Sequence, residues 1–406
     1  MPGIIVVGGG FAGVWSAAGA VRLARETRRE LSVTLISPGD DLVIRPRLYQ
    51  SAPERMRVSL DRILGPAGVR RIAATVTGID ITGHTVTTTD RNGLSAELRY
   101  DRLILATGSE LVRPDVPGAD LLFDVDTLPA ATELDIHLNR LPDLPPGAGR
   151  FTAVVVGAGF TGLEIATELM DRLGAVAATH APGAKARVVL VERANTLGPE
   201  LGPGPRREIT DALAALGVEY RLGVSVAAVE PDRVALSDGT QFATHTVIWT
   251  AGVRANGLTA GIPGVRDRLG RLEVDANLAV TDVPAVYAAG DTAAAAADPG
   301  HRVMQCCQHA LQLGKFAGHN AAADLLGLPA VPFSATPYVT CLDLGSYGAV
   351  FTDGWDRRVV ATGAVAKERK RKVNELWIYP PTDDADELLR QADYRFSVRQ
   401  IREPAV

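Results

Sequence analysis

The sequence predicts an α/β chain built on two copies of one strand–glycine turn–helix unit, and three observations predict it. The run FTAVVVGAGFTGLEIATEL passes from a β-branched apolar stretch through Gly157-x-Gly159-x-x-Gly162 into a helical pattern. The chain has already opened with IIVVGGGFAGVWSAAGA, where Gly8, Gly10 and Gly13 hold the same spacing. Three later runs, LILATGS, VIWTAGV and VYAAGD, each repeat an apolar strand ending in glycine.

In such a turn the first glycine lets the backbone reverse. The second lets main chain approach a pyrophosphate, and the third lets helix pack close to strand. The N–H groups and dipole of the new helix then face the phosphates. The candidate contacts are therefore Gly8, Gly10, Phe11, Ala12 and Gly13 in the first turn, and Gly157, Gly159, Phe160, Thr161 and Gly162 in the second. One such spacing is weak evidence. Two, each between strand and helix, imply two dinucleotides.

A length of 406 residues predicts two or three domains. Hydrophobic content of 46% and charged content of 22% are ordinary for a globular chain. A net charge of −5 argues against a general nucleic-acid binder. No apolar run is long enough to span a bilayer, and the N-terminus enters a strand without a basic, cleavable leader. Three cysteines, two of them adjacent, make no disulfide framework, so a reducing cytoplasm is expected. No His/Cys/Asp cluster has metal spacing, so no metal is expected.

The first unit runs from Ile4 to about Ser37 as strand, turn, helix and the strand LSVTLIS. An acid usually ends this second strand to hold a ribose; here Ser37 stands there, a weaker partner than a carboxylate. Asp40 and Asp41 read as solvated loop acids. The following DDLVIRPRLYQSAPERM supplies Arg45 as a candidate cofactor contact. From Arg71 to Tyr100, alternating segments predict an antiparallel ribbon, and DRLILATGS then ends in Ala106-Thr107-Gly108. Arg113 to Gly118, with Pro114 and Pro117, reads as a crossing linker. A helix from Leu128 to Leu141 follows, and LPDLPPGAG marks a boundary.

After the second turn, GLEIATELMDRL reads as helix and GAVAATHAPGAKA as an inserted excursion. RVVLVER is the next strand, ended by Glu192. A carboxylate there favours free ribose hydroxyls and repels a 2′-phosphate, so NADH is expected over NADPH, although Arg193 opposes this. A helix is expected near Pro205 to Leu216 and a turn at Asp238-Gly239. Ala251-Gly252 and Gly290-Asp291 end two further strands. CCQHALQLGKFAGHNAAADLLG reads as a late helix. Pro332 to Tyr379 holds strands such as SYGAVF and RRVVATGAV, and the run KERKRK reads as solvated charge.

With both fingerprints and the ATG, TAG and AAGD runs in this order, the chain resembles the two-dinucleotide-binding-domain flavoproteins. The resemblance implies two Rossmann-like domains, the first holding FAD and the second, inserted into it, holding NAD(P)H, plus a small α+β C-terminal domain. The expected division is 1–113 and 251–327 for the FAD domain, 114–250 for the NAD(P)H domain and 328–406 for the last. It gives Asp291 to the FAD ribitol. In many relatives an early CxxxxC pair takes electrons from the flavin; no cysteine precedes Cys306 here, so that branch of activities is excluded.

A narrower set of residues carries more. Pro46-Arg47-Leu48-Tyr49-Gln50, the GxGxTGxE form of the second fingerprint, VIWTAGV and the late helix together resemble the type II NADH:quinone oxidoreductases. That family carries A-Q-x-A-x-Q-x-G on a helix beside the flavin. Gln308, Ala310, Gln312 and Gly314 match it, and Cys307 departs from it. The resemblance places Ala310 beside the flavin and gives Gln308 and Gln312 to a quinone carbonyl. Their spacing puts both amides on one helix face. It also places Glu164 near nicotinamide and acceptor, where a carboxylate with raised pKa can supply a proton. The alternative is a residue that only orients the cofactor. Glu168 reads as structural and Cys306 and Cys307 as packing residues; His309 reads as locally satisfied ahead of a proton shuttle near the flavin, and Arg254 and Lys315 read equally as phosphate or ribose contacts and as surface cations.

The family's amphipathic C-terminal membrane helices are missing from PPTDDADELLRQADYRFSVRQIREPAV, although KERKRKVNELWIY offers a basic and aromatic surface to anionic lipid. The expected activity is FAD-dependent transfer from NADH to a quinone or quinone-like acceptor. Peripheral contact with the inner membrane face and an oligomer are both compatible with it. The alternatives are a reductase serving a protein electron carrier, a tailoring oxidoreductase of specialised metabolism, and a redox sensor resembling apoptosis-inducing factor.

Overall fold

The computed structural model describes residues 2–181 and 183–397. The end of the charged C-terminal tail, 398–406, lies outside the described residues.

The first sheet has seven strands. Their order is Val286–Ala288, Arg102–Leu105, Gly3–Val7, Ser32–Ser37, Arg70–Asp80, Thr85–Asp90, Ser95–Arg99. The first five run parallel. The last three form the expected antiparallel ribbon, here continuous with the sheet. The central strand is apolar along its whole length because both of its faces are covered. Ile4 and Val6 pack into the cluster under the helices, Ile5 and Val7 into a second cluster on the opposite face.

The second sheet repeats the plan with four parallel strands, in the order Glu219–Leu222, Arg187–Glu192, Thr152–Val156, Thr246–Trp249. The α/β class with two Rossmann-like domains is therefore observed. The chain leaves the first sheet after Arg102–Leu105 and returns to it at Val286–Ala288. Its outgoing and returning linkers pair antiparallel, Ser109–Leu111 against Val253–Ala255. A three-stranded antiparallel sheet, Val339–Asp343, Ala349–Asp353 and Arg358–Thr362, follows, and then a basic helix, Gly363–Lys372.

Three expectations are corrected. GAVAATH is not an excursion: it forms the last turns of the second fingerprint helix, Phe160–His180. Its alanines are strong helix formers, and Gly174 alone does not stop them. KERKRK is not uniformly solvated, since Lys370 is buried. Lys315 is not a surface cation. It is buried with Nζ 4.9 Å from the Trp15 ring centroid and 5.1 Å from that of Phe396, and this desolvation pushes its pKa down to about 8.

The first fingerprint helix, Phe11–Thr27, and the late helix, Cys307–Leu325, lie backbone to backbone. A Cβ on Gly318 would sit 2.0 Å from the Ser16 carbonyl oxygen, and one on Gly314 2.5 Å from that of Ala12. Small residues here are a steric requirement. Gly318→Ala is expected to destabilise the protein by about 1–3 kcal/mol through overpacking. Gly174→Ala, on an open helix position, should be neutral or slightly stabilising. Denaturant midpoints for the two variants check this; equal midpoints would refute the close packing.

Candidate functional site

The two fingerprint turns are built alike. Gly8 has φ +117° and Gly157 φ +104°, values an L side chain resists. A Cβ on Gly13 would lie 1.8 Å from the Gly8 carbonyl oxygen, and one on Gly162 1.7 Å from that of Gly157. Gly10 and Gly159 are the N-cap residues of their helices, with no side-chain cap and no acid in either first turn. The first-turn N–H groups are thus presented to an anion. Phe11 and Ala12 are buried in the first turn; in the second, Phe160 is half-buried and Thr161 exposed.

The ribose-side residues differ between the two units. Glu192 is held by its own turn: Ala158 N–H donates to one carboxylate oxygen (2.7 Å) and Ala194 N–H to the other (2.8 Å). Ser37 is buried, with its Oγ 2.6 Å from where a Cβ on Gly9 would lie. Asp40 pairs with Arg71 and Arg91, and Asp41 with Arg57.

Around the first turn, Gly290 brings Ala12 and Ala310 together, 2.7 and 3.6 Å from its Cβ position. Ala106 backs Gly8, and the Thr107 hydroxyl beside Gly108 is buried without a hydrogen-bond partner among the described residues. Ser109 Oγ donates to Asp291 (2.6 Å). Arg45 donates to the Ser109 hydroxyl and carbonyl, pairs with Asp126 and lies 4.0 Å from Asp291. Burial raises the Asp291 carboxyl, against the opposing pull of Ser109 and Arg45. An unpartnered hydroxyl, open helix N–H groups and a glycine-lined approach fit an FAD. Ala251, by contrast, packs on Gly157, 3.1 Å from its Cβ position, and so belongs with the second turn; Gly252 beside it is exposed.

Glu164 sits one turn into the second fingerprint helix and is buried. Its Oε1 accepts from Lys370 Nζ (2.8 Å) and from Asp343 N–H (3.0 Å). Asp343 also accepts from Tyr49 Oη (3.0 Å) and from Lys367 Nζ. The cluster thus joins the RPRLYQ segment, the second fingerprint helix, a C-terminal strand and the basic helix. Burial raises the Glu164 carboxyl, and Lys370 partly opposes the shift. Glu164 in turn holds the Lys370 ammonium protonated. Glu168, one turn on, is half-buried, and its carboxyl is raised by burial.

Gln308 and Gln312 face the segment that enters the C-terminal sheet. Gln308 donates to Pro337 O (3.1 Å) and accepts from Val339 N–H (3.4 Å). Gln312 donates to Thr336 Oγ (2.8 Å) and accepts from Thr336 N–H (2.8 Å). Each amide keeps a second N–H for another acceptor. Cys306, Cys307 and Cys341 are free thiols. His309 Nδ1 accepts from Met304 N–H (2.9 Å), and burial pushes the imidazole down to about 4, so it is neutral near pH 7. Arg254 is exposed on the returning linker.

Sequence reasoning passed over Tyr49, Asp343, Lys367 and Lys370 as site residues. A signal for one was present: Ala366 and Lys370 are four apart in a helix otherwise crowded with charge, so the lysine shares the one buried face.

Two fingerprint turns, one on each parallel sheet, without an early dithiol, are the plan of a nicotinamide–flavin oxidoreductase. The chain belongs to the pyridine nucleotide-disulphide oxidoreductase family, which it matches over residues 2–314. It is 46% identical to the NADH dehydrogenase-like protein Rv1812c of Mycobacterium tuberculosis, over 94% of this chain and 95% of that one. It is 27% identical to the demethylphylloquinone reductase NdbB of Synechocystis, over 86% of each. The fold matches that of NDH2 from Plasmodium falciparum in complex with NADH at TM-score 0.77 and 14% identity, covering 96% of this chain and 98% of that one. Membership makes the chain an oxidoreductase and implies use of flavin and nicotinamide dinucleotides. Among the described residues no helix is long and apolar enough to cross a membrane.

Lys370→Met should destabilise the protein by about 3–5 kcal/mol, because it strands a buried carboxylate. Adding Glu164→Gln should recover most of that loss. Denaturation of both variants tests it; additive losses would show that the two charges do not depend on one another.

Proposed function

We propose that this protein takes hydride from NADH onto FAD and passes two electrons to a quinone or quinone-like acceptor. The observation that carries the reading is Glu164: a buried carboxyl of raised proton affinity, paired with Lys370, on the helix that opens at the second fingerprint. Bound FAD supplies the redox chemistry, accepting hydride and releasing electrons. The chain supplies orientation, proton handling and exclusion of water.

FAD would sit against the first turn, Arg45, Thr107 and Asp291, and NADH against the second, with Glu192 at its adenosine ribose. Glu192 has both oxygens on backbone N–H groups and keeps lone pairs for ribose hydroxyls. A 2′-phosphate there would meet a fixed negative charge. The late helix begins at Cys307, and its Ala310 meets Ala12 of the first turn across Gly290. The free N–H groups of Gln308 and Gln312 then suit a quinone carbonyl, and Glu164 suits delivery of its proton. The quinone is supported by the Synechocystis relative, a demethylphylloquinone reductase, and by the late-helix motif.

Anaerobic mixing tests the reading. NADH should bleach the flavin spectrum faster than NADPH, and a short-chain quinone should restore it within the turnover time. Faster bleaching by NADPH would remove the NADH assignment, and slow recovery with every quinone would remove the acceptor. The pH profile tests Glu164 separately. Its raised pKa keeps the carboxyl protonated to higher pH than an ordinary glutamate, and this donor form is lost as pH rises through that value. Recovery by quinone should therefore slow on the alkaline side. Glu164→Gln should abolish that limb while leaving reduction by NADH nearly intact; an unchanged profile would exclude Glu164 from proton delivery.

A further inference from the structure

The hairpin between Ala349–Asp353 and Arg358–Thr362 turns through Gly354 and Arg357, both left-handed, at φ +72° and +55°. For an arginine that conformation is uncommon. The surroundings impose it. Arg357 N–H donates to Gly354 O (3.2 Å), and the Arg357 carbonyl lies so close to Gly204 that a Cβ there would stand 2.2 Å away. On the hairpin's other side, Trp355 Nε1 donates to Asp298 (2.6 Å), and the indole stacks on His301 and Tyr338. The hairpin is pinned between the FAD-side residues 298–301 and the 202–204 loop of the nucleotide unit.

This places the Arg357 side chain in a specific position. It is only 4% exposed. Its Cζ lies 4.5 Å from the Tyr338 ring centroid and 5.6 Å from that of Phe160, the first residue of the second fingerprint helix. Nη2 reaches the Glu200 carbonyl at 3.4 Å. Nη1 is buried with no hydrogen-bond partner, and no carboxylate pairs with the guanidinium among the described residues. Arginine stays charged in proteins, and a buried charge without a counter-ion is strongly unfavourable. Phe160, whose ring the guanidinium approaches, opens the second fingerprint helix, and the uncapped start of that helix at Gly159 calls for an anion; Glu200 Oε2 lies 3.7 Å from the Gly159 Cβ position. Arg357 bonds the Glu200 backbone and leaves that exposed carboxylate aside.

We propose that Arg357 is a positioning residue for the dinucleotide, supplying the cation opposite its diphosphate at the second fingerprint. The C-terminal hairpin thereby completes a nucleotide site whose other phosphate contacts are backbone N–H groups. A guanidinium fork suits two phosphate oxygens, and the helix N-terminus suits the rest. The proposal rests on the reading that the second fingerprint binds NADH.

ADP-ribose separates the two ideas, because it carries the diphosphate but no nicotinamide and does not react. Its binding to the flavin-loaded protein is measured by calorimetry. Wild type should bind it. Arg357→Ala should weaken binding roughly ten- to a hundredfold, the range for a lost charge-assisted contact. Arg357→Lys should recover part of the loss as a point charge. Adenosine, which lacks the diphosphate, should bind wild type and variants alike. If the alanine variant fails to fold or loses flavin, Arg357→Gln reads the same loss while keeping the stem and a donor. Equal ADP-ribose affinity in wild type and variants would overturn the role of Arg357, as would an equal loss for adenosine. No ADP-ribose binding by wild type would overturn the nucleotide reading itself, and the proposal with it.

Discussion

The structure depends on one buried ion pair. Glu164 and Lys370 are 206 positions apart in the chain, yet they meet where little water reaches either. Leaving either charge unpaired there is costly, so the contact ties the second fingerprint helix to the basic helix. Asp343 extends the constraint, placing its N–H on the same Glu164 oxygen and its carboxylate between Tyr49 and Lys367. Four segments, from the RPRLYQ stretch to the basic helix, thereby meet around one acidic cluster.

What the sequence disclosed, and what it withheld, follows from the range of the forces involved. The fingerprints were legible because their requirements are local. A positive φ at Gly8 or Gly157 and a close approach at Gly13 or Gly162 are decided within a few residues. The parallel strands were legible because coverage on both faces makes them apolar throughout. Lys370, Lys315 and Arg357 were not, because a long cationic side chain looks the same in sequence whether water or a buried partner receives it. The last turns of the helix from Phe160 to His180 were not legible because Gly174 precedes them and a Pro/Gly run follows them in sequence, although the alanines between continue the helix.

The two nucleotide units share a backbone plan but differ where a ribose would lie. In the second, Glu192 is oriented by the N–H groups of its own turn, so its charge is fixed before any ligand arrives. In the first, Ser37 is small and sits close under Gly9. A ligand seated at the first turn would also have Arg45 and Asp291 beside it, so a weaker ribose partner would cost it less there.

The paired linkers have a consequence for how the chain acquires its fold. As the nascent chain leaves the ribosome, the first sheet must wait with an open edge at Arg102–Leu105, because its last strand, Val286–Ala288, comes after the whole inserted unit. A loop of that length closes slowly if it is slack. Once the insert has folded, Leu111 faces Val253 across one ladder, and the far ends of the insertion become neighbours. The remaining closure then spans only the segment from that ladder to Val286. Early maturation of the insert thus shortens the search for the missing strand, and the two-stranded ladder acts as the splint that aligns the host domain for completion.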